Sequence, residues 1–104
     1  MRVAIPSKAD NIDSPMDERF ARCVFFCIYD TGTGDHEFIS NTVRDLPGGV
    51  GPQAVELLAK NNVQEVYAGE VGPKAESMLN RMNIKINIAD SGQSVKQIID
   101  NLKK

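Results

Sequence analysis

One short phrase occurs twice in this chain and sets where its helices can begin. Val50-Gly51-Pro52-Gln53-Ala54 is followed by Leu57, and Val71-Gly72-Pro73-Lys74-Ala75 by Leu79. Each phrase reads as the end of a loop and the first turn of a helix. Proline suits that turn, because its missing N–H would have no partner there and its φ is already helical. The preceding glycine lets the backbone turn tightly without a Cβ clash. Both helices are therefore expected to start with unpaired N–H groups at a positive dipole end, an arrangement that attracts anions. The two phrases lie one α-plus-β unit apart, so they mark successive helix starts and not a duplicated domain.

The remaining pattern supplies strands around these helices. Arg2 to Pro6 reads as a short buried strand stopped by Pro6. Ser7 to Ala21 is a polar loop. Arg22 to Asp30 carries Val24-Phe25-Phe26-Cys27-Ile28-Tyr29, a nearly continuous apolar run that predicts a central strand covered on both faces. A turn over residues 30–35 leads to a return strand from His36 to Val43, and Pro47-Gly48-Gly49 sits in a loop. Helix one is expected from Pro52 to Asn61 and helix two from Pro73 to Met82. Strands are expected at Glu65 to Gly69 and at Ile84 to Ala89, with Ile84, Ile86 and Ile88 on one face. Asp90-Ser91-Gly92 turns. Ser94 then caps a third helix, with Gln97 as its capping-box partner and Val95, Ile98, Ile99 and Leu102 along one stripe.

The order is βββαβαβα. A meander followed by two right-handed crossovers gives an α/β fold: a five-stranded mixed sheet of order 3-2-1-4-5, strand two antiparallel, helices on both faces. This is a ribonuclease H-like three-layer architecture. It brings loop 7–22, loop 44–51, Glu70-Val71-Gly72 and Asp90-Ser91-Gly92 to one rim, where ligands of open α/β sheets bind. Cys23 is expected on that rim, at the start of strand two. Cys27 lies deeper, in the core. His36 falls at the opposite end, roughly 25 Å away by strand rise.

With 104 residues, 41% of them hydrophobic, the chain has the size of a single domain, residues 1–104, with an aliphatic core. Its net charge of −2 is mixed along the sequence and gives no nucleic-acid footprint. Met1 to Pro6 turns polar too soon for a signal peptide, and no apolar run reaches the ~20 residues of a membrane span. The cytoplasm is the expected location. Cys23 and Cys27 on one strand would stand about 13 Å apart, beyond disulfide reach, and are expected to be free thiols.

Four constellations can be weighed. Gly49-Val50-Gly51-Pro52-Gln53-Ala54 matches G-x-G-x-x-A, with Glu70 downstream, but no strand runs straight into the glycines, as a dinucleotide site requires. Nuclease chemistry needs carboxylates on the first strand, and Arg2 to Pro6 has none; Asp10, Asp13, Asp17 and Glu18 read as a solvated acidic surface. The single histidine, His36, is too far from Cys23 to activate it. The fourth is Arg19-Phe20-Ala21-Arg22-Cys23 on the rim. A thiol flanked by two arginines near helix N-termini is expected to favour thiolate and to suit an anionic, thiol-seeking ligand such as an iron–sulfur species. The competing reading makes Cys23 a small core residue and pairs the arginines with Asp17, Glu18 or Asp90.

Across essentially its whole length the chain resembles the dinitrogenase iron–molybdenum cofactor biosynthesis domain, of the NifX and NifB C-terminal type. The resemblance rests on Met1 to Pro6, Asp13-Ser14-Pro15, Phe20 to Cys23, Phe26 to Asp30, Gly49 to Ala54 and Gly69 to Ala75, in that order and spacing. It implies a ribonuclease H-like fold and a non-catalytic protein that binds or carries iron–molybdenum cofactor or an iron–sulfur precursor. The chain departs from the family pattern at Arg19-Phe20-Ala21, where His-Phe-Gly is frequent, and at Pro47-Gly48-Gly49, where a histidine is common. Cys23 alone matches a metal-ligand position. The expected cofactor pocket comprises Arg19, Arg22, Cys23, Gly49, Gly51 and Gly72, with Cys23 as direct ligand. The alternative is a metal-free regulatory or scaffold module that binds a small anion or a protein partner at the same rim.

Overall fold

The structure is a computed structural model and describes residues 1–90 and 92–103. Ser91, in the middle of the expected last turn, lies outside the described residues. The strands are β1 (Arg2–Ser7), β2 (Phe25–Asp30), β3 (His36–Ser40), β4 (Glu65–Ala68) and β5 (Lys85–Ile88); the helices are α1 (Val50–Lys60), α2 (Pro73–Arg81) and α3 (Val95–Leu102). They form one sheet of order β3-β2-β1-β4-β5. β2 is antiparallel to β1 and β3, and β4 is parallel to β1 and β5. The expected α/β architecture is borne out.

Strand alternation divides the core in two. Ala4, Phe26, Ile28, Val66 and Ala68 face α1 and α2, where they meet Ala54, Leu58, Ala75 and Leu79. Val3, Ile5, Cys27 and Tyr29 face the other way and pack against Val95, Ile98 and Ile99 of α3. The run in β2 is apolar throughout because both its faces are covered.

Several boundaries differ from the sequence reading, each for a local reason. β1 runs past Pro6 to Ser7. It pairs with β4 only at Val3 and Ala4, so the N–H missing from Pro6 interrupts no ladder on that side. β2 begins at Phe25 because residues 21–23 are drawn into a turn: the Asn41 side-chain amide donates to the Ala21 and Cys23 carbonyls at 2.8 and 2.9 Å. Asn41 is itself buried and ends β3 early. α1 starts at Val50, ahead of its proline, because Gly49 takes a left-handed conformation (φ 68°) and turns the chain into the helix. The twin phrases are thus not equivalent, since Pro73 is the first residue of α2 while Pro52 is the third of α1. On β5 the isoleucine stripe runs off the covered area: Ile84 is buried, Ile86 half-buried and Ile88 67% exposed at the rim.

α3 begins as expected. Gln97 N–H donates to Ser94 Oγ at 3.1 Å, and Ser94 N–H donates to Gln97 Oε1 at 2.8 Å. Replacing Ser94 by Ala removes both the acceptor and the reciprocal geometry, and is expected to lower stability by about 1 kcal/mol. Urea denaturation read by circular dichroism checks it, with an unchanged slope and a lower midpoint.

Candidate functional site

At the rim where β1, β3 and β4 end, three segments border an open cavity of about 750 Å³. They are residues 19–22, the start of α1 from Gly49 to Pro52, and Glu70 to Ala75 at the start of α2. α1 and α2 lie side by side there because Gly51 has no side chain; a Cβ on it would stand 3.2 Å from the Ala75 Cβ. Neither helix has a side-chain cap. The first-turn N–H groups of Val50, Gly51, Lys74 and Ala75 therefore have no partner within their helices. Phe20, Ala21, Val50, Val71 and the two prolines give the lining an apolar character, and Arg19, Arg22 and Lys74 place cations on it, with Glu70 the opposing charge.

The segment that carries the arginines is seated on the sheet by a glycine. A Cβ on Gly69 would lie 2.7 Å from the Glu18 Cβ, so only glycine lets this segment cross the end of β4. Arg19 then pairs as an isolated bridge with Glu70, and Phe20 is buried with its ring 5.7 Å from that of Phe26. Asp17 lies beneath. It was expected on a solvated acidic surface and is instead fully buried, while Asp10, Asp13 and Glu18 are exposed. Its carboxylate accepts from Arg19 Nε at 3.1 Å, Arg19 Nη2 at 2.9 Å and the Arg19 backbone N–H at 3.0 Å. Burial opposes ionisation of Asp17, but the bonds and charge of Arg19 outweigh it and hold the carboxyl below its usual range. Arg22 is held differently, donating from Nη1 to the carbonyls of Arg44 and Leu46 at 2.9 and 3.4 Å. It thereby ties the loop before α1 to the cavity.

Cys23 follows the competing sequence reading, a small core residue, and not the rim thiolate. Its thiol is fully buried on the α1/α2 side of the sheet, whereas Cys27 lies on the α3 side, and neither is in a disulfide. Cys23 Sγ donates to the Phe20 carbonyl at 3.4 Å, and Cys23 is not part of the cavity wall. Burial, reinforced by the negative charge of Asp17, pushes its pKa up to about 12. The thiolate expected from two flanking arginines is not favoured: desolvation dominates, Arg19 is paired with Asp17, and the Arg22 guanidinium is directed to backbone carbonyls. Among the described residues no group of three or more His, Cys, Asp or Glu side chains is placed to hold a metal ion.

Of the expected pocket residues, Arg19, Arg22, Gly49, Gly51 and Gly72 therefore meet at one cavity and Cys23 lies behind it. Lys74 was missed, although it stands inside the repeated phrase, and Glu70, expected on this rim, joins the lining. The N-terminus of α3 does not join them. It opens on the other face, where Val95 and Lys96 N–H donate to the Ser14 and Ile12 carbonyls at 3.0 and 2.8 Å. His36 stands at the far edge of the sheet, paired with Tyr29. No strand leads into Gly49, since β3 ends at Ser40. Among the described residues no helix is long and apolar enough to cross a membrane.

A family profile described as dinitrogenase iron-molybdenum cofactor matches residues 1–104. The chain belongs to that family. The resemblance read from the sequence is borne out, and solved structures agree with it. The orange protein of Desulfovibrio gigas, determined in its apo form, superposes with a TM-score of 0.91 at 31% identity, over 96% of this chain and 84% of its own. A putative NifB protein from Thermotoga, assigned to the DUF35 family, superposes with a TM-score of 0.82 at 37% identity, over 95% of this chain and 84% of its own. An uncharacterised protein of Methanocaldococcus jannaschii is 31% identical over 94 residues, 88% of this chain and 76% of that protein.

The two buried thiols predict an alkaline limit. Folded, both Cys23 and Cys27 keep their protons to about pH 12; unfolded, they lose them near 9.0. Above that lower value the unfolded chain binds fewer protons than the folded one, so stability falls as pH rises. Tyr67, pushed upward by burial and by Glu65, adds to the slope above 10.0. Unfolding free energies from urea denaturation are expected to be flat from pH 7 to 8.5 and to fall between pH 9 and 11 by roughly 1 kcal/mol per thiol per pH unit. The slope is shallower in Cys27→Ala.

Proposed function

We propose that this protein is a non-catalytic binding or carrier protein for an anionic metal–sulfur species, an iron–molybdenum cofactor or an iron–sulfur precursor of one, held in the rim cavity. The observation that carries this reading is the composition of the cavity. Two uncapped helix starts and three cationic side chains surround an apolar lining. Backbone N–H groups and guanidinium N–H groups donate to the sulfides of such a cluster, and the apolar lining offers few polar groups to compete with them. Family membership supports the cofactor class. So do the two solved relatives, one described in an apo form and one as a putative NifB protein.

The residues fit a cargo held by charge and hydrogen bonds better than one held by coordination. Arg19, Arg22, Gly49, Gly51 and Gly72 form the holding surface, joined by Lys74. Cys23 supports the segment that carries the arginines and offers no donor atom to the cavity in this conformation. The non-catalytic reading rests on the separation of the groups that could do chemistry. The buried Cys23 thiol has neither thiolate character nor an imidazole beside it, because His36 is at the other end of the sheet.

A second reading draws on the same lack of a ligand set: a regulatory or scaffold module whose cavity takes a small anion or a partner's acidic group, with no metal. Anaerobic titration with a synthetic iron–sulfur cluster or with isolated iron–molybdenum cofactor, followed by gel filtration and visible absorption, separates the two. A carrier comigrates with the chromophore at one per chain and loses it in Gly51→Val, whose side chain would press on Ala75 where the helix starts meet. Cys23→Ser is expected to keep the chromophore. No comigration with either cargo refutes the carrier and leaves the metal-free module; comigration lost specifically in a folded Cys23→Ser returns Cys23 to the ligand position.

A further inference from the structure

Two arginines line the cavity, and the structure gives them different tasks. Arg22 uses its Nη1 amine on the carbonyls of Arg44 and Leu46, so it frames the loop before α1. Arg19 presents Nε and Nη2 to Asp17 and leaves its Nη1 amine without a partner among the described residues. Its side chain is 60% exposed, whereas that of Asp17 is 1% exposed. An ion pair with one partner buried and the other at a cavity wall is not an ordinary surface pair. Burying a carboxylate is unfavourable unless it is closely paired, and Arg19 supplies the only side-chain bonds that this carboxylate accepts among the described residues.

Both members are also anchored through their backbones. Asp17 N–H donates to the Pro6 carbonyl at 3.0 Å, which fixes it to the end of β1. Arg19 is bridged to Glu70 at the end of β4, with Glu18 between them seated on Gly69. The sheet thus holds the carboxylate from one strand and the guanidinium from another.

We propose that Asp17 is the positioning residue of this cavity: it grips the Arg19 guanidinium along one edge, so that an entering anion meets the opposite edge already oriented. The inference rests on the reading of the cavity as a site for an anionic cargo. A free arginine gives up its rotamer freedom when it binds an anion; Arg19 has surrendered it on folding. The fork also selects for geometry. A guanidinium clamped on two of its nitrogens offers a planar pair of N–H vectors, which lysine, with the same charge, does not provide.

The test is equilibrium binding of a synthetic dianionic iron–sulfur cluster with thiolate ligands, under anaerobic conditions, to the full chain and to Asp17→Asn, Arg19→Lys, Arg19→Ala and the double variant Asp17→Asn/Arg19→Ala. Thermal melts set a temperature at which every variant is folded. Asp17→Asn is expected to weaken binding about tenfold, the scale of one charge-assisted hydrogen bond. Arg19→Lys is expected to weaken it by a similar factor although the net charge is unchanged. In the Arg19→Ala background, Asp17→Asn should have no further effect, because Asp17 acts only through Arg19. A purely structural carboxylate would lower melting temperatures in both backgrounds and leave affinity alone. Affinity of Asp17→Asn within about twofold of the parent, or an equal loss in both backgrounds, overturns the proposal. If Asp17→Asn does not fold, parental affinity in Arg19→Lys overturns it. Absence of binding by the parent chain refutes the cargo reading itself, an outcome distinct from parental binding that the variants leave unchanged.

Discussion

The close approach of Glu18 to Gly69 is the contact on which the rest of the site depends. With 2.7 Å between the Glu18 Cβ and the place where a Gly69 Cβ would stand, no other residue allows the 17–22 segment to cross the end of β4 as it does. That crossing sets Phe20 into the core above Phe26 and carries Arg19 and Arg22 over the starts of α1 and α2. Gly51 acts more mildly on the opposite wall, where a Cβ would stand 3.2 Å from that of Ala75 and the missing side chain lets α1 lie close against α2. The cavity is thus the space left when three backbone segments are drawn together at two places where a side chain is lacking.

Most of the fold was legible because it is carried by local periodicity. The apolar run from Val24 to Tyr29, the two proline helix starts and the capping box at Ser94 each encode an element within a few residues, and topology rules then leave one sheet order. The errors arose where distant residues decide. Nothing near Cys23 says that Asn41 will pull its carbonyl out of the strand, and the consequence is large: Cys23 moves off the strand and packs on the opposite face from Cys27. The glycines and arginines of the cavity were visible from their place on the rim. Asp17 was legible only in part: its pairing with an arginine is one of the partners the competing reading names, but its burial is not, since an aspartate in an acidic loop looks solvated. The one local signal was its place between Met16 and Phe20, both buried, with Arg19 two residues on.

The same geometry explains why the flanking arginines fail to activate Cys23. Charge acts on a thiol through the net field at the sulfur, and both flanking arginines are directed elsewhere. Arg19 is forked onto Asp17, whose negative charge is itself felt at Cys23; Arg22 is bonded to backbone carbonyls. Desolvation then dominates, as it does at Cys27, where burial alone raises the pKa to about 12. Proximity in sequence to two arginines was a true observation with the wrong consequence, because it counted charges without their partners.

For the cargo proposed above, this decides what kind of hold the cavity can exert. A thiolate bound to a metal must be displaced by another ligand before the cargo can leave, and the bond carries most of the affinity. Amide and guanidinium donors act on the outer sulfides and on total charge, so the metal ions keep their own ligands and the cargo can be released intact. Such a hold is strong only if its donors are fixed in advance and screened from water, since each mobile donor subtracts ordering entropy from the binding free energy. Two helix starts, held side by side by the packing of Gly51 on Ala75, and one guanidinium, fixed by a buried carboxylate, meet the first of these conditions. The burial of Asp17, unfavourable as an isolated feature of the fold, is the means by which a flexible side chain at a cavity wall becomes a rigid one.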